Sequence, residues 1–67
     1  LPAAVGQAVD TTYTELGRSH ADCTRTARWG PACNAAIHRY CAGRGFATGY
    51  GPVENNGDYA GVVCVRR

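Results

Sequence analysis

The sequence predicts a small α+β domain stapled by disulfides, with two helices packed on a short antiparallel sheet. The chain has 67 residues and four cysteines, and a chain this short buries only about 60% of its unfolded surface. Small domains therefore need cross-links, and an even number of cysteines favours disulfides, each worth about 2–4 kcal/mol. Segments with strand-type and helix-type patterns then give the α+β class.

The first part of the chain contains one strand-type and one short helix-type segment. Residues 1–8 lack periodicity and are assigned to an N-terminal extension of a single domain over residues 1–67. β-branched and aromatic residues from Val9 to Thr14 predict a strand over about 9–16. Ser19 with Asp22 three residues later resembles a helix-capping pattern, so a short helix is expected over about 20–28.

A longer helix is predicted from Pro31 to Arg44. Gly30 suits the end of one helix, and proline suits the first turn of the next. Its apolar residues lie within about 80–100° on a helical wheel, which predicts a buried face formed by Cys33, Ile37, Tyr40 and Cys41.

The last third of the chain reads as a hairpin. Residues 46–53 are extended but interrupted by Gly49, Gly51 and Pro52, which predicts an edge strand. Asn56-Gly57 is a strong turn signal. Residues 59–65 are apolar on both faces, so a buried last strand is expected.

The cysteine pairing is partly decided by helix geometry. Cys33 and Cys41 lie on one predicted helix, about 12 Å apart along its axis, beyond the roughly 7 Å limit between bridged Cα atoms. Two pairings are left: Cys23–Cys33 with Cys41–Cys64, and Cys23–Cys41 with Cys33–Cys64. A helical hairpin that turns at Gly30 slightly favours the first.

Charge and the N-terminal residues indicate the environment. The formal net charge is +2, and Arg66 and Arg67 account for this excess, so there is no basic stripe for nucleic acid. No apolar run approaches the roughly 20 residues that cross a membrane, so membrane insertion is not expected. The small, apolar start at Leu1-Pro2 is typical of a terminus left by signal-peptide removal, which predicts a secreted, extracellular protein.

No residue pattern favours catalysis, a metal or a cofactor. The spacing C-x9-C-x4-H-x2-C lacks the close cysteine pair of zinc sites. His20 with His38 could mimic a nuclease acid–base pair, and Glu54 with Asp58 a glycosidase pair, but surface and turn positions explain these residues better. We therefore expect a binding protein and not an enzyme.

Polar and aromatic residues concentrate in residues 50–59, and the lone Trp29 stands at a helix junction. Sugars present hydroxyls to planar polar groups and an apolar face to aromatic rings. This composition therefore suits a sugar site. The plainer interpretation is a hairpin turn, with Trp29 and the tyrosines in a thin core.

Four segments resemble the small actinomycete lectins typified by streptomycete haemagglutinin. They are DTTYTELGRSH (10–20), WGPAC (29–33), RYC (39–41) and GYGPVE (49–54). The resemblance spans about 10–65, one domain of a family whose better-known member looks like two such domains in tandem. It implies metal-free binding of L-rhamnose and galactose-type sugars at cell surfaces. A looser similarity to animal rhamnose-binding lectin domains implies that Glu15 and Asp58 bind hydroxyls.

The resulting hypothesis is a secreted lectin whose partners are cell-surface or free glycans containing rhamnose, galactose or lactose. The candidate hydroxyl-binding residues are Asp58, Glu54, Asn55 and Asn56; the candidate stacking residues are Trp29 and Tyr50; secondary candidates are Arg18, His20 and Glu15. Agglutination would need a homodimer or a tandem partner domain. The alternative is a protease or glycosidase inhibitor with an exposed loop centred on Pro52. An antimicrobial or structural module is the next hypothesis in order of preference.

Overall fold

The predicted α+β class is confirmed by the computed structural model, which describes residues 6–66. This part of the chain forms two helices and a three-stranded antiparallel sheet, joined by two disulfides. The elements in chain order are β1 (Gly6–Thr12), α1 (Tyr13–Ser19), α2 (Pro31–Gly43), β2 (Thr48–Asn56) and β3 (Tyr59–Val65).

The sheet has the order β1-β3-β2, so the last strand lies at its centre. This confirms both the buried last strand and the edge position of β2, which begins at Thr48 and extends to Asn56. Asp10 of β1 and Glu54 of β2 both pair with Gly61, on opposite sides of β3. The register of β2 shifts between Tyr50 and Glu54, where the predicted interruptions fall.

The first strand and first helix differ from the sequence prediction. Strand β1 begins at Gly6, inside the expected extension, and ends at Thr12; residues 1–5 lie outside the described residues. Helix α1 follows directly because the Thr12 hydroxyl accepts a hydrogen bond from the Glu15 amide at 3.1 Å. Thr12 and Glu15 have the spacing of a capping box, and this local bond outweighs the β propensity of residues 13–16.

The helix expected over residues 20–28 is wrong. Ser19 is the last residue of α1 and not a helix start. His20 is extended (φ −153°), and its backbone N–H donates the last hydrogen bond of the helix to the Leu16 carbonyl. The chain between Ser19 and Pro31 forms turns without regular structure. We call residues 20–30 the stapled segment, because a disulfide holds it to α2.

The core lies between the two helices and one face of the sheet. The predicted helix face is largely confirmed, since Cys33, Ile37 and Cys41 are fully buried, whereas Tyr40 is partly buried and packs at the edge. The other core residues are Tyr13, Leu16, Cys23, Ala36, Ala60, Val62 and Cys64. Few large aliphatic side chains are present, so the disulfides supply much of the buried volume.

The disulfides follow the favoured pairing. Cys23 pairs with Cys33 across a Cα–Cα distance of 4.5 Å, and Cys41 pairs with Cys64 across 5.3 Å. The first bridge holds the stapled segment to the start of α2, and the second holds the end of α2 to the central strand. Gly49 on β2 makes the second contact possible, because a Cβ atom there would overlap Cys41 Sγ and lie 2.8 Å from the Val63 carbonyl oxygen.

We expect Gly49→Ala to destabilise the fold by about 1–3 kcal/mol, because the added methyl group overpacks the bridge. Denaturant unfolding of the oxidised protein measures the change. The matched control is Gly43→Ala at the end of α2, where a Cβ atom meets nothing within 4 Å. Equal stability of the two variants would contradict this packing.

Candidate functional site

An open depression of about 540 Å³ lies between α1, the stapled segment and the β2–β3 turn. Its lining includes two predicted site residues, Arg18 and Asp58. Tyr13 and Cys23 are buried at its base, and the polar residues around it are exposed. The full lining is Tyr13, Thr14, Gly17, Arg18, Ala21, Cys23, Thr24, Arg25 and Asp58.

Asp58 is held in the depression by two contacts with α1. Its backbone carbonyl accepts a hydrogen bond from the Tyr13 amide at 2.8 Å, and its Oδ2 accepts one from the Thr14 hydroxyl at 2.8 Å. No group within residues 6–66 donates to the other carboxylate oxygen, Oδ1. Asp58 is therefore a preorganised acceptor with one oxygen available to a ligand.

Two arginines that line the same depression supply hydrogen-bond donors. Arg18 forms an ion pair with Glu15 at 3.4 Å, and both side chains are well exposed, so the pair contributes little stability. Arg25 also lines the depression, and no carboxylate within residues 6–66 pairs with it. Glu15 thus lies beside the depression as a partner of Arg18 and does not line it.

A second group of side chains is organised by Arg28. Its guanidinium lies over the Tyr13 ring at 5.3 Å and over the Trp29 ring at 5.6 Å. It also donates hydrogen bonds to the Asn55 side-chain oxygen and to the Arg25 carbonyl. Arg28 therefore connects Trp29 and Asn55 to two residues that line the depression.

Trp29 is 70% exposed, so the interpretation that it fills the core is wrong. Arg28 is not among the predicted site residues, although its position next to the lone tryptophan is a signal for it in the sequence.

The other predicted hairpin residues are divided between the two faces of the sheet. Asn55 pairs with buried Ala60 and shares its helix-side face, whereas Glu54 and Asn56 alternate to the outer face. Tyr50, 55% exposed, lies on that outer face too, since it pairs with Val63. The structure therefore separates Glu54, Asn56 and Tyr50 from Asp58.

Tyr59 is the centre of a small polar group on the outer face. Its hydroxyl donates to Asp10 Oδ1 at 2.7 Å. The ring lies over Gly61, where a Cβ atom would be 2.9 Å from the hydroxyl oxygen. The hydrogen bond to Asp10, burial and the charges of Asp10 and Glu54 raise the pKa of Tyr59 to about 12. The phenol of Tyr59 therefore stays protonated beside the carboxylates of Asp10 and Glu54.

Both histidines have local partners. His20 Nδ1 accepts a hydrogen bond from the Asp22 amide at 3.3 Å, and His20 does not line the depression. His38 Nδ1 shares a hydrogen bond with the Thr48 hydroxyl at 2.7 Å. Each ring therefore has a structural contact of its own.

Three further observations concern the predicted inhibitor loop, metal binding and membrane insertion. Pro52 is buried within β2, so the expected exposed loop centred on it is wrong. In residues 6–66 no cluster of three or more His, Cys, Asp or Glu side chains could hold a metal ion. No helix in the described part of the chain is both long and apolar enough to span a bilayer.

Comparison with known proteins finds no matching family model, no matching curated protein and no matching solved structure. The resemblance to actinomycete lectins therefore stays a prediction from four sequence segments. The carboxylate and guanidinium groups of the depression and the nearby exposed indole can bind a polar ligand that has one apolar face.

We expect Tyr59 to titrate near pH 12 in the folded protein, whereas an unfolded tyrosine titrates near pH 10. The raised pKa means that this contact contributes stability below about pH 10, which is lost as the pH rises through about 12. The difference in phenolate absorbance between the wild type and Tyr59→Phe, measured as a function of pH, gives the titration curve of Tyr59. Asp10→Asn should lower its pKa by removing the charge, and Asp22→Asn should leave it unchanged. Titration of Tyr59 near pH 10 in the wild type would refute the contact.

Proposed function

We propose that this protein is a secreted lectin that binds an L-rhamnose-type or galactose-type sugar, without a metal ion, in the depression beside α1. One observation carries the proposal: Asp58 presents an unpaired carboxylate oxygen in a depression that Arg18 and Arg25 also line. A carboxylate accepts a hydrogen bond from one sugar hydroxyl while a guanidinium donates one to the adjacent hydroxyl. This combination therefore recognises vicinal hydroxyl groups.

Preorganisation supports this assignment. The Asp58 carbonyl and one carboxylate oxygen are already bonded to α1, so binding need not order this side chain. Immobilising a free side chain costs about 0.5–1.5 kcal/mol, which a preformed acceptor avoids. Thr14 acts as a positioning residue, because its hydroxyl uses Oδ2 and leaves Oδ1 for the sugar.

Trp29 is the stacking residue in this proposal. Its ring is 70% exposed, and Arg28 lies over it at 5.6 Å, which restricts its orientation. An ordered, exposed indole is suited to the C–H face of a sugar ring. Tyr50 is the weaker choice because it lies on the outer face of the sheet, away from Asp58. Glu54 and Asn56 are left out of the site for the same reason.

The disulfides support the proposed extracellular location, and the small size of the domain bears on its valency. Two disulfides in a domain of 67 residues fit an oxidising, extracellular environment. A single depression binds one sugar weakly, so agglutination requires a second copy or a tandem partner domain that raises avidity.

Titration calorimetry with L-rhamnose, galactose and glucose tests the proposal, each with and without chelator. We expect saturable, chelator-insensitive heat with rhamnose or galactose and none with glucose. Asp58→Asn should weaken binding about 10- to 100-fold, because a hydrogen bond to a charged group is worth about 1.5–3 kcal/mol. Trp29→Ala should weaken it as well.

Asp22→Asn is the matched control, because Asp22 is exposed and does not line the depression. It should bind sugar as the wild type does. Silence with all three sugars at millimolar protein, or wild-type affinity of Asp58→Asn, would contradict the proposal.

A further inference from the structure

The five carboxylates lie away from the end of β3 at Val65, although Arg18, Arg25 and Arg28 lie near some of them. Glu15 and Asp58 lie where the β2–β3 turn meets α1, and Asp10 and Glu54 both pair with Gly61, four residues before Val65. At about 3.3 Å per residue, these last two are roughly 13 Å from the end of β3. The fifth carboxylate, Asp22, adjoins the Cys23–Cys33 bridge, about 12 Å along α2 from Cys41.

Cationic side chains gather at the other end of the sheet. Arg44 follows α2 and lies over the Tyr40 ring at 5.3 Å, while Arg66 follows β3 and lies over the Phe46 ring at 5.3 Å. These segments are joined, because the Phe46 amide donates to the Cys41 carbonyl at 3.1 Å. We call His38, Arg44 and Arg66 the basic end.

His38 and Arg66 belong to the same end because of β-sheet pairing. The His38 ring is hydrogen-bonded to Thr48, whose Cα partner is Val65, the residue before Arg66. The Ala47 amide also donates to the Val65 carbonyl at 2.8 Å. The backbone therefore fixes the three groups of the basic end relative to one another.

The guanidinium groups of the basic end are oriented but not neutralised. The one ion pair within residues 6–66 is Arg18–Glu15, so Arg44 and Arg66 have no carboxylate partner there. Stacking on a ring uses the face of a guanidinium, and its five N–H donors point outward from the edge. Arg66 uses one donor on Gln7 at 2.8 Å, and the other donors can bind anionic oxygens.

We infer that the basic end is a second binding site, which takes the sulfate or phosphate groups of an anionic polysaccharide. Duplex nucleic acid is the poorer occupant, since tight binding to it uses about 6–10 phosphate contacts along a surface. The basic end offers only three groups, His38, Arg44 and Arg66, within residues 6–66. A flexible polysaccharide can bring separate anionic groups to separate guanidinium groups. The choice of a polysaccharide rests on the proposed lectin function, whereas the site itself rests on its charges.

The test is binding of the full chain to labelled dextran sulfate over a range of salt concentrations, with neutral dextran and duplex DNA as comparisons. We expect binding to dextran sulfate but not to neutral dextran, with log K falling linearly with log salt. Arg44→Gln with Arg66→Gln should reduce the slope by about 2 and each single variant by about 1. The double lysine variant, Arg44→Lys with Arg66→Lys, should keep most of the slope.

Arg18→Gln with Arg25→Gln is the matched control, because it removes the same charge at the depression. It should change the slope by much less than the variant of the basic end. Equal losses in the two double variants, or DNA binding as tight as dextran sulfate binding, would overturn the inference. Calorimetry with neutral sugar distinguishes the two sites. The variant Arg44→Gln with Arg66→Gln should bind neutral sugar as the wild type does. Asp58→Asn should bind dextran sulfate as the wild type does.

Discussion

The fold depends on the bridge between Cys41 of α2 and Cys64 of the central strand. The largest fully buried side chains are Leu16, Ile37, Val62 and the four cysteines, so sulfur replaces the aliphatic groups of a larger core. Burial by three aliphatic side chains cannot offset the ordering of this chain, whereas each bridge removes disorder from the unfolded state. Gly49 belongs to the same constraint, because only a residue without a Cβ atom lets β2 pass beside the bridge.

The other bridge determines the candidate site. The stapled segment has no helix or strand to hold it, yet it carries Arg25, Arg28 and Trp29. The Cys23–Cys33 bridge holds its first part to α2, and Arg28 holds its last part against Tyr13 and Asn55. On the opposite side of the depression, the hydrogen bonds from α1 fix Asp58. The candidate binding groups of the stapled segment and the β2–β3 turn are thus positioned by a few contacts with helices and strands.

Local signals predicted the parts of the fold that depend on local chemistry. Proline and glycine set the limits of α2, and the Asn56-Gly57 turn and the apolar final segment set the hairpin. Helix α1 was missed because Thr12 and Glu15, which cap it, lie inside a run of strand-type residues. The spacing of Thr12 and Glu15 is nevertheless a cap signal that marks Thr12 as the end of the strand.

The candidate site was less predictable for two physical reasons. Hairpin residues alternate between faces, so Asn55 could not share a site with Glu54 and Asn56 once the strand reached residue 56. That separation follows from the sequence if the strand limits are known. The contacts of Asp58 with α1 and of Arg28 with Tyr13 and Asn55 join residues far apart in the chain. They depend on tertiary packing, which no local pattern reports.

Both the core and the candidate site depend on the disulfide pairing. Peptide mapping under non-reducing conditions determines this pairing. Cleavage after arginine places each cysteine in its own peptide: residues 19–25, 29–39, 40–44 and 45–66. Digestion at mildly acidic pH, with free thiols blocked, suppresses exchange because exchange requires thiolate. The account predicts that 19–25 is linked to 29–39 and that 40–44 is linked to 45–66. Linkage of 19–25 to 40–44, with 29–39 joined to 45–66, would contradict both the core and the stapled segment.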